Sequence, residues 1–268
     1  MGEGAYRQME NSRRIVFIGA GNVATHLAKA LSHKATIVQV ISHRLENART
    51  LAEAVSSGCL FSDSVANISK ADVYIVSVKD DAIASILASV PEYAKDALWV
   101  HTSGSVSVSV FQGFNEKYGV LYPMQTFSKD VQLDISEIPF FIEGCNKNVE
   151  NEIETIALLL SQSVYRSNSK LRQQIHIAAV FSCNFTNHMF SIAEDILAKE
   201  GIPFSVMLPL IKETVRKVSV VSPKAAQTGP ASRGDSAIVS KHLESLPELN
   251  SRKIYEILSQ SIMNQSKK

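Results

Sequence analysis

The hydrophobic pattern of this chain changes period twice within its first forty residues. Residues 15–19 form a continuous apolar run ending in glycine, as a strand covered on both faces would. The run breaks at Gly19-Ala20-Gly21, and apolar positions resume at helical spacing as far as Leu31. This is strand, tight turn, helix. A second apolar run at 36–42 reads as the next strand, and residues 45–56 space their apolar positions as a surface helix does, with Gly58 placed as its C-capping glycine. Further along, the pattern predicts a short strand at 59–61, a nearly unbroken central parallel strand at 71–78, a helix over 82–90 and a strand at 97–101. Strands at 119–122 and 139–143, a helix from about 148 to 161 and a short strand at 164–166 close the series. Strands alternating with helices in this way belong to the α/β class, with a doubly wound, mostly parallel sheet.

From residue 168 the texture differs. Between Leu171 and about Glu200 there is neither Gly nor Pro, and residues 173–193 contain no Asp, Glu, Lys or Arg. The pattern predicts one helix of about 30 residues and about 45 Å. A rod this apolar needs cover on most sides, more than three further helices of one chain supply, so a homodimer through this part is expected. At 100° per residue His176, Val180, Asn184, Asn187 and Ser191 share one sector, a polar stripe on the rod. Gly201-Ile202-Pro203 ends it. A helix at 205–220 capped by Ser205 and stopped by Pro223, a loop at 228–235, a helix at 236–246 capped by Asp235 and an amphipathic helix at 251–263 come next. The expected organisation is a mobile tail at 1–12, an α/β domain at 13–167 and an all-helical substrate and dimerisation domain at 168–268.

Composition narrows the partners. Twenty-seven basic against 26 acidic side chains in 268 residues leave a net charge of +1, which argues against nucleic acid or an acidic membrane surface. The three cysteines, Cys59, Cys145 and Cys183, are far apart and flanked by apolar or small residues, so they read as buried reduced thiols of a cytoplasmic protein. The opening residues lack the apolar core of a secretion signal, and no apolar run reaches the ~20 residues that span a bilayer.

Candidate chemistry sits at the predicted strand ends. Gly19-Ala20-Gly21-Asn22-Val23-Ala24, between a strand and a helix, is a dinucleotide fingerprint with Ala for its third glycine. Gly19 permits the turn, Gly21 lets backbone approach a diphosphate, and the N–H groups opening the helix at Asn22 or Val23 face that anion. An acidic residue after the second strand would hold an unphosphorylated ribose; Ser42-His43-Arg44 stands there instead and suits a 2′-phosphate, so NADP is the expected cofactor. Arg44 as a solvated residue opening the next helix is the alternative. Ser77, Val78 and Lys79 are expected against the ribose and nicotinamide half. His101, Thr102 and Ser103 end a sheet strand and are candidates for holding substrate, or else form a Ser/Thr turn. On the long helix, His176 as proton donor and Asn184 as a ligand of substrate or nicotinamide are the candidate catalytic residues; satisfied polar groups at a helix interface are the other reading. Arg233, between Gly-Pro and Asp235, is a candidate ligand for a carboxylate or diphosphate.

With these residues in hand the chain resembles the 6-phosphogluconate-dehydrogenase-like superfamily, in which a Rossmann domain precedes an all-helical, dimer-forming domain. Pyrroline-5-carboxylate reductases, deazaflavin-dependent NADP reductases and a set of bacterial proteins described as NADP oxidoreductases look most like it. The likeness to the last covers nearly the whole chain and rests on residues 19–24, His101-Thr-Ser-Gly-Ser105, Tyr122-Pro-Met-Gln-Thr126, the helix from His176 to Asn184, and Gly229-Pro-Ala-Ser-Arg-Gly-Asp235. It implies an NADP-dependent oxidoreductase acting on a small carbonyl or imine; a nucleotide-binding sensor or regulatory dimer without turnover is the alternative. The superfamily's hydroxyacid dehydrogenases carry Lys and Asn four residues apart on the first long helix. Here, matching Asn184 to that Asn leaves Val180 at the Lys position, and matching His176 to the Lys leaves Val180 at the Asn position. The hydroxyacid reaction is therefore not implied, and the proton donor stays unassigned.

Overall fold

The computed structural model describes residues 13–246 and 248–266, so the expected tail at 1–12 lies outside the described residues. In chain order the first unit contains β1 (Arg14–Ile18), α1 (Asn22–Ser32), β2 (Thr36–Ile41), α2 (Leu45–Val55), β3 (Leu60–Ser62), β4 (Val73–Val76), α3 (Ile83–Leu87), β5 (Leu98–His101), β6 (Tyr118–Pro123), β7 (Phe140–Gly144), α4 (Lys147–Leu158), β8 (Val164–Arg166) and α5 (Ser169–Ala179). Its strands form one eight-stranded sheet in the order β3-β2-β1-β4-β5-β6-β7-β8. All neighbours are parallel except β6 and β7. The doubly wound, mostly parallel Rossmann sheet is thus present, with one antiparallel pair.

Period-two alternation divides the central strands between two cores, one on each face. Ile15, Phe17, Val73 and Ile75 face one way with Ala24, Leu27 and Leu31 of α1; Val16, Ile18, Tyr74 and Val76 face the other with Ile83, Leu87 and Trp99. Each of these strand residues is at most 2 % exposed. Ala24 lies wholly buried against β1, which is why a small residue serves there. Where the chain leaves the sheet the expected cap changes. Helix α2 ends at Ser56 with its amide on the Ala52 carbonyl, and Gly58 has no left-handed backbone, so it is not the C-cap. The thiols are free; Cys59 is buried, while Cys145 and Cys183 are half-buried rather than buried as expected.

The compact units divide inside the long helix, one running to Cys183 and the other starting at Asn184. That helix is continuous from Ser169 to Lys199 but not one α-helix: α5 passes into a π-turn at Val180–Phe185 and then into α6 (Thr186–Lys199). A π-turn bonds i to i+5 and sets the succeeding turns back by about one residue.

The second unit holds α6, α7 (Leu208–Val218), α8 (Pro223–Ala226), α9 (Pro230–Arg233), α10 (Ser236–Ser245) and α11 (Leu249–Ser266). Helices α9, α10 and α11 pack on one another. Two expected caps are not made. Ser205 lies inside a 3₁₀ turn ahead of α7, which Met207 opens with Pro209 in its first turn. Asp235 does cap α10 in position, but its carboxylate accepts from Arg233 Nε at 3.0 Å instead of from the helix. Ser222 is a true cap, accepting from the Ala225 amide at 3.3 Å at the start of α8. Among the described residues no helix is long and apolar enough to cross a membrane.

Candidate active site

The carboxyl ends of β1, β2, β4, β5 and β6 all point to one side of the first unit, and there they border a cleft of about 1090 Å³. The turn after β1 has one conformation open to it. Gly19 sits at φ +117°, its amide on the Ile41 carbonyl at 2.7 Å, and a Cβ on it would stand 2.0 Å from the Ser77 carbonyl oxygen. Gly19 therefore serves close approach to β4 as well as the turn. Gly21 opens α1 as its N-cap, with no side chain to cap the helix and no acidic residue in its first turn. Nothing lies within 4 Å of where a Cβ on Gly21 would be. The cradle is open, and its donors are the first backbone N–H groups of α1, which fits the diphosphate of a dinucleotide.

Ala20, Gly21, Asn22 and Val23 line the cleft. The Asn22 side chain has a second task, donating from Nδ2 to the Phe127 carbonyl at 2.8 Å, while His26 Nε2 meets the Ser128 carbonyl at 2.9 Å. Together they pin the loop after β6 onto the first turns of α1. At the other end Ser42, His43, Asn47 and Asp63 line the wall; Arg44, exposed, occupies the N-cap position of α2 beside them. Ser77, Val78 and Lys79 line the middle, and the Thr102 hydroxyl donates to Ser77 Oγ at 3.1 Å, tying the ends of β4 and β5.

One candidate for holding substrate is corrected. His101 has no exposed surface; its ring stacks on Phe111 at 5.7 Å and its Nδ1 accepts the Ser103 amide at 3.2 Å. Burial first, then the charge of Arg172, push its pKa down to about 3, so the ring is neutral, and among the described residues its Nε2 has no hydrogen-bond partner. His101 shapes the loop from beneath and does not reach a ligand. Thr102 and Ser103 do line the cleft. The Ser103 hydroxyl accepts the amides of Ser105 and Val106, each at 3.1 Å, so the Ser/Thr turn exists as well.

Beneath this loop lies an ion pair that the sequence pattern did not reveal. Arg172, fully buried on α5, donates to Glu143 of β7 and to the Val106 carbonyl, and Ser169 Oγ donates to the same carboxylate at 2.9 Å. The start of α5 is thus clamped to β7 and to the hydroxyl loop. One turn further along α5, His176 lines the cleft, and its Nδ1 lies 3.0 Å from the Tyr122 hydroxyl, the two rings meeting edge-on at 75°. Tyr122, at the end of β6, is 7 % exposed. Burial raises its phenol pKa, an effect that Arg172 partly opposes. A Cβ on Gly104 would come within 2.8 Å of both His176 Nδ1 and Tyr122 Cζ, so the pair closes over glycine.

Asn184 and Arg233 belong to the second unit. Asn184 is exposed near the end of the π-turn, and Arg233 is exposed and paired with Asp235. Tyr122, Pro123 and Gln125 were legible at the cleft, since residues 122–127 follow a strand whose end faces the same crevice as that of β5. Asn47, Asp63 and Lys129, which also line it, carried no such signal.

Residues 14–104 match the family described as NADP oxidoreductase, coenzyme F420-dependent, and residues 138–262 match a domain of unknown function, DUF2520. No curated protein matches. Among solved structures, the "putative NADP oxidoreductase" of Bacteroides fragilis is 45 % identical, covers 94 % of this chain and 98 % of its own, and superposes with a TM-score of 0.86. A Thermotoga maritima protein shares the fold at 20 % identity and TM-score 0.78, over 95 % of this chain and all of its own. An imine reductase from Myxococcus stipitatus, in complex with NADP+, shares it at 16 % identity and TM-score 0.64, over 94 % and 92 % of the two chains. The chain therefore belongs to the family of the Bacteroides fragilis protein, an oxidoreductase family.

Proposed function

We propose that this protein is an NADP-dependent oxidoreductase that moves a hydride between NADP(H) and a small carbonyl or imine compound. The observation that carries the reading is the cleft itself, in which the open cradle over Gly21, the ends of β2 and β4, and the Tyr122–His176 pair share one volume. When bound, the nucleotide supplies or accepts the hydride. The protein's residues do the rest. The first N–H groups of α1, with Gly19 to Val23, hold the diphosphate; Ser42, His43 and Arg44 take the 2′-phosphate; Ser77, Val78 and Lys79 flank the nicotinamide ribose. Thr102 and Ser103 offer hydroxyls to the substrate's polar atom, and His176 moves the proton. Asn184 and Arg233 are proposed as further ligands, Asn184 for substrate or the nicotinamide amide and Arg233 for an anionic group.

The test is consumption of NADPH with a panel of α-keto acids, cyclic imines and aldehydes. Turnover with any of them supports the reading, while tight NADPH binding with no consumption across the panel favours the sensor instead. For the cofactor, Arg44→Ala is expected to weaken NADPH binding far more than NADH binding; equal losses would count against the 2′-phosphate assignment. We also propose a homodimer joined through the helical unit and a cytoplasmic location, the latter supported by free thiols and balanced charge.

A further inference from the structure

The proton donor that the resemblance left unassigned has a second member in the structure. We propose that Tyr122 is the positioning residue for His176, holding the imidazole so that its proton sits on Nε2, the nitrogen left for a substrate. The proposal rests on the oxidoreductase reading, for which it supplies the acid.

The Tyr122 hydroxyl meets His176 Nδ1 at 3.0 Å, with no other hydrogen bond to that hydroxyl among the described residues. Tyr122 is fixed by its place in β6, whose backbone pairs with both β5 and β7, and by burial. His176 is fixed from the other side, because Arg172 locks the preceding turn of α5 to Glu143 and Val106. Two anchored elements thus bring the phenol and the ring together over Gly104, where even a methyl group would intrude. The buried phenol keeps its proton and has no other acceptor for it among the described residues, so the proposed arrangement has the hydroxyl donating and Nδ1 accepting. A neutral imidazole whose Nδ1 accepts must carry its hydrogen on Nε2. Nε2 has no protein partner among the described residues, and His176 lines the cleft.

In the reducing direction the substrate carbon gains a hydride, and the π pair of its C=O or C=N bond moves onto the heteroatom. That pair takes the Nε2 proton. Nδ1 takes the phenolic proton in turn; water then returns a proton to Nε2 and Nδ1 hands its own back to the phenolate, so both side chains regain their starting form. The net proton comes from water, and no charge is left on either side chain.

The decisive measurement uses the full-length protein without nucleotide: ¹⁵N-histidine labelling and two-bond ¹H–¹⁵N correlation at about pH 8.5, with His176 assigned by its loss in His176→Gln. An unprotonated, accepting Nδ1 and a protonated Nε2 are expected. Protonated Nδ1 in the wild type would overturn the proposal. In Tyr122→Phe the two tautomers should mix; an unchanged His176 spectrum would also overturn it. With a substrate from the panel, Tyr122→Phe should lower kcat about 10- to 100-fold, the usual loss when an orienting partner is removed, with KM and NADPH affinity held. A raised KM with unchanged kcat would make Tyr122 a substrate ligand and sink the positioning role. If the wild type consumes no NADPH, the oxidoreductase reading falls, while the tautomer still decides whether Tyr122 sets the ring.

Discussion

His101 shows how one side chain can carry a stability signature without touching a ligand. Folding buries its ring completely and holds its pKa near 3, against about 6.5 in the unfolded chain. Between those values the unfolded chain binds a proton that the folded one refuses, so stability rises with pH across that window and is lost as pH falls through it. Near pH 4.5 the loss from this ring alone is about 3 kcal/mol. Urea unfolding at about pH 7 and about pH 4.5 should show it. In His101→Phe, which keeps the stacking on Phe111, the difference between the two conditions should shrink by about that amount; an equal difference would place the acid sensitivity elsewhere. Gly19 makes the opposite demand, for the absence of a side chain. Its positive φ and the 2.0 Å approach of a Cβ to the Ser77 carbonyl mean that Gly19→Ala must push β1 from β4. Loss of NADPH affinity of at least tenfold, together with a lower melting temperature, is the expected result by calorimetry and thermal denaturation.

At the scale of elements, the order of strands and helices was legible because each has its own period, and the sheet buries apolar strands on both faces. The fingerprint turn was legible because only glycine satisfies Gly19. The features that escaped depended on contacts distant in sequence. Arg172 carries no signal of its own in the sequence, because its partner Glu143 lies on β7 and its other acceptor, Val106, in the loop after β5. The π-turn at Val180–Phe185 carries no proline or glycine to announce it. Asp235 sat at a correct cap position, but Arg233 competed for its carboxylate. The Arg172–Glu143 pair, with side chains 0 % and 12 % exposed, should therefore behave as a buried ion pair does. Arg172→Met leaves a buried carboxylate without its cation and should cost about 3–5 kcal/mol. Adding Glu143→Gln removes the stranded charge, so the double variant should recover part of that loss in denaturant titrations; a purely additive result would mean the pair is not coupled.

The whole molecule poses a question of cover. In the helical unit, Leu210 of α7 is 65 % exposed, and Leu249 and Ile257 of α11 are 65 % and 67 % exposed, while its buried hydrophobics are small or few, Ala231 and Val239 among them. Single apolar residues at a surface need no explanation, but a run of them over several helices does. A second copy is the cover we propose, since a two-fold contact buries the same face on both chains and a stable one needs about 1,200–2,000 Å² in all. Sedimentation equilibrium should then give twice the 29.3 kDa of one chain, and the melting temperature should rise with protein concentration, as mass action requires of a folded dimer. Leu210→Asp with Ile257→Asp places charges at two of these exposed positions without entering the packed interior. The pair should shift the protein toward monomer and remove the concentration dependence. A wild type of single-chain mass would refute the dimer, and a dimer indifferent to both substitutions would put its interface on another face.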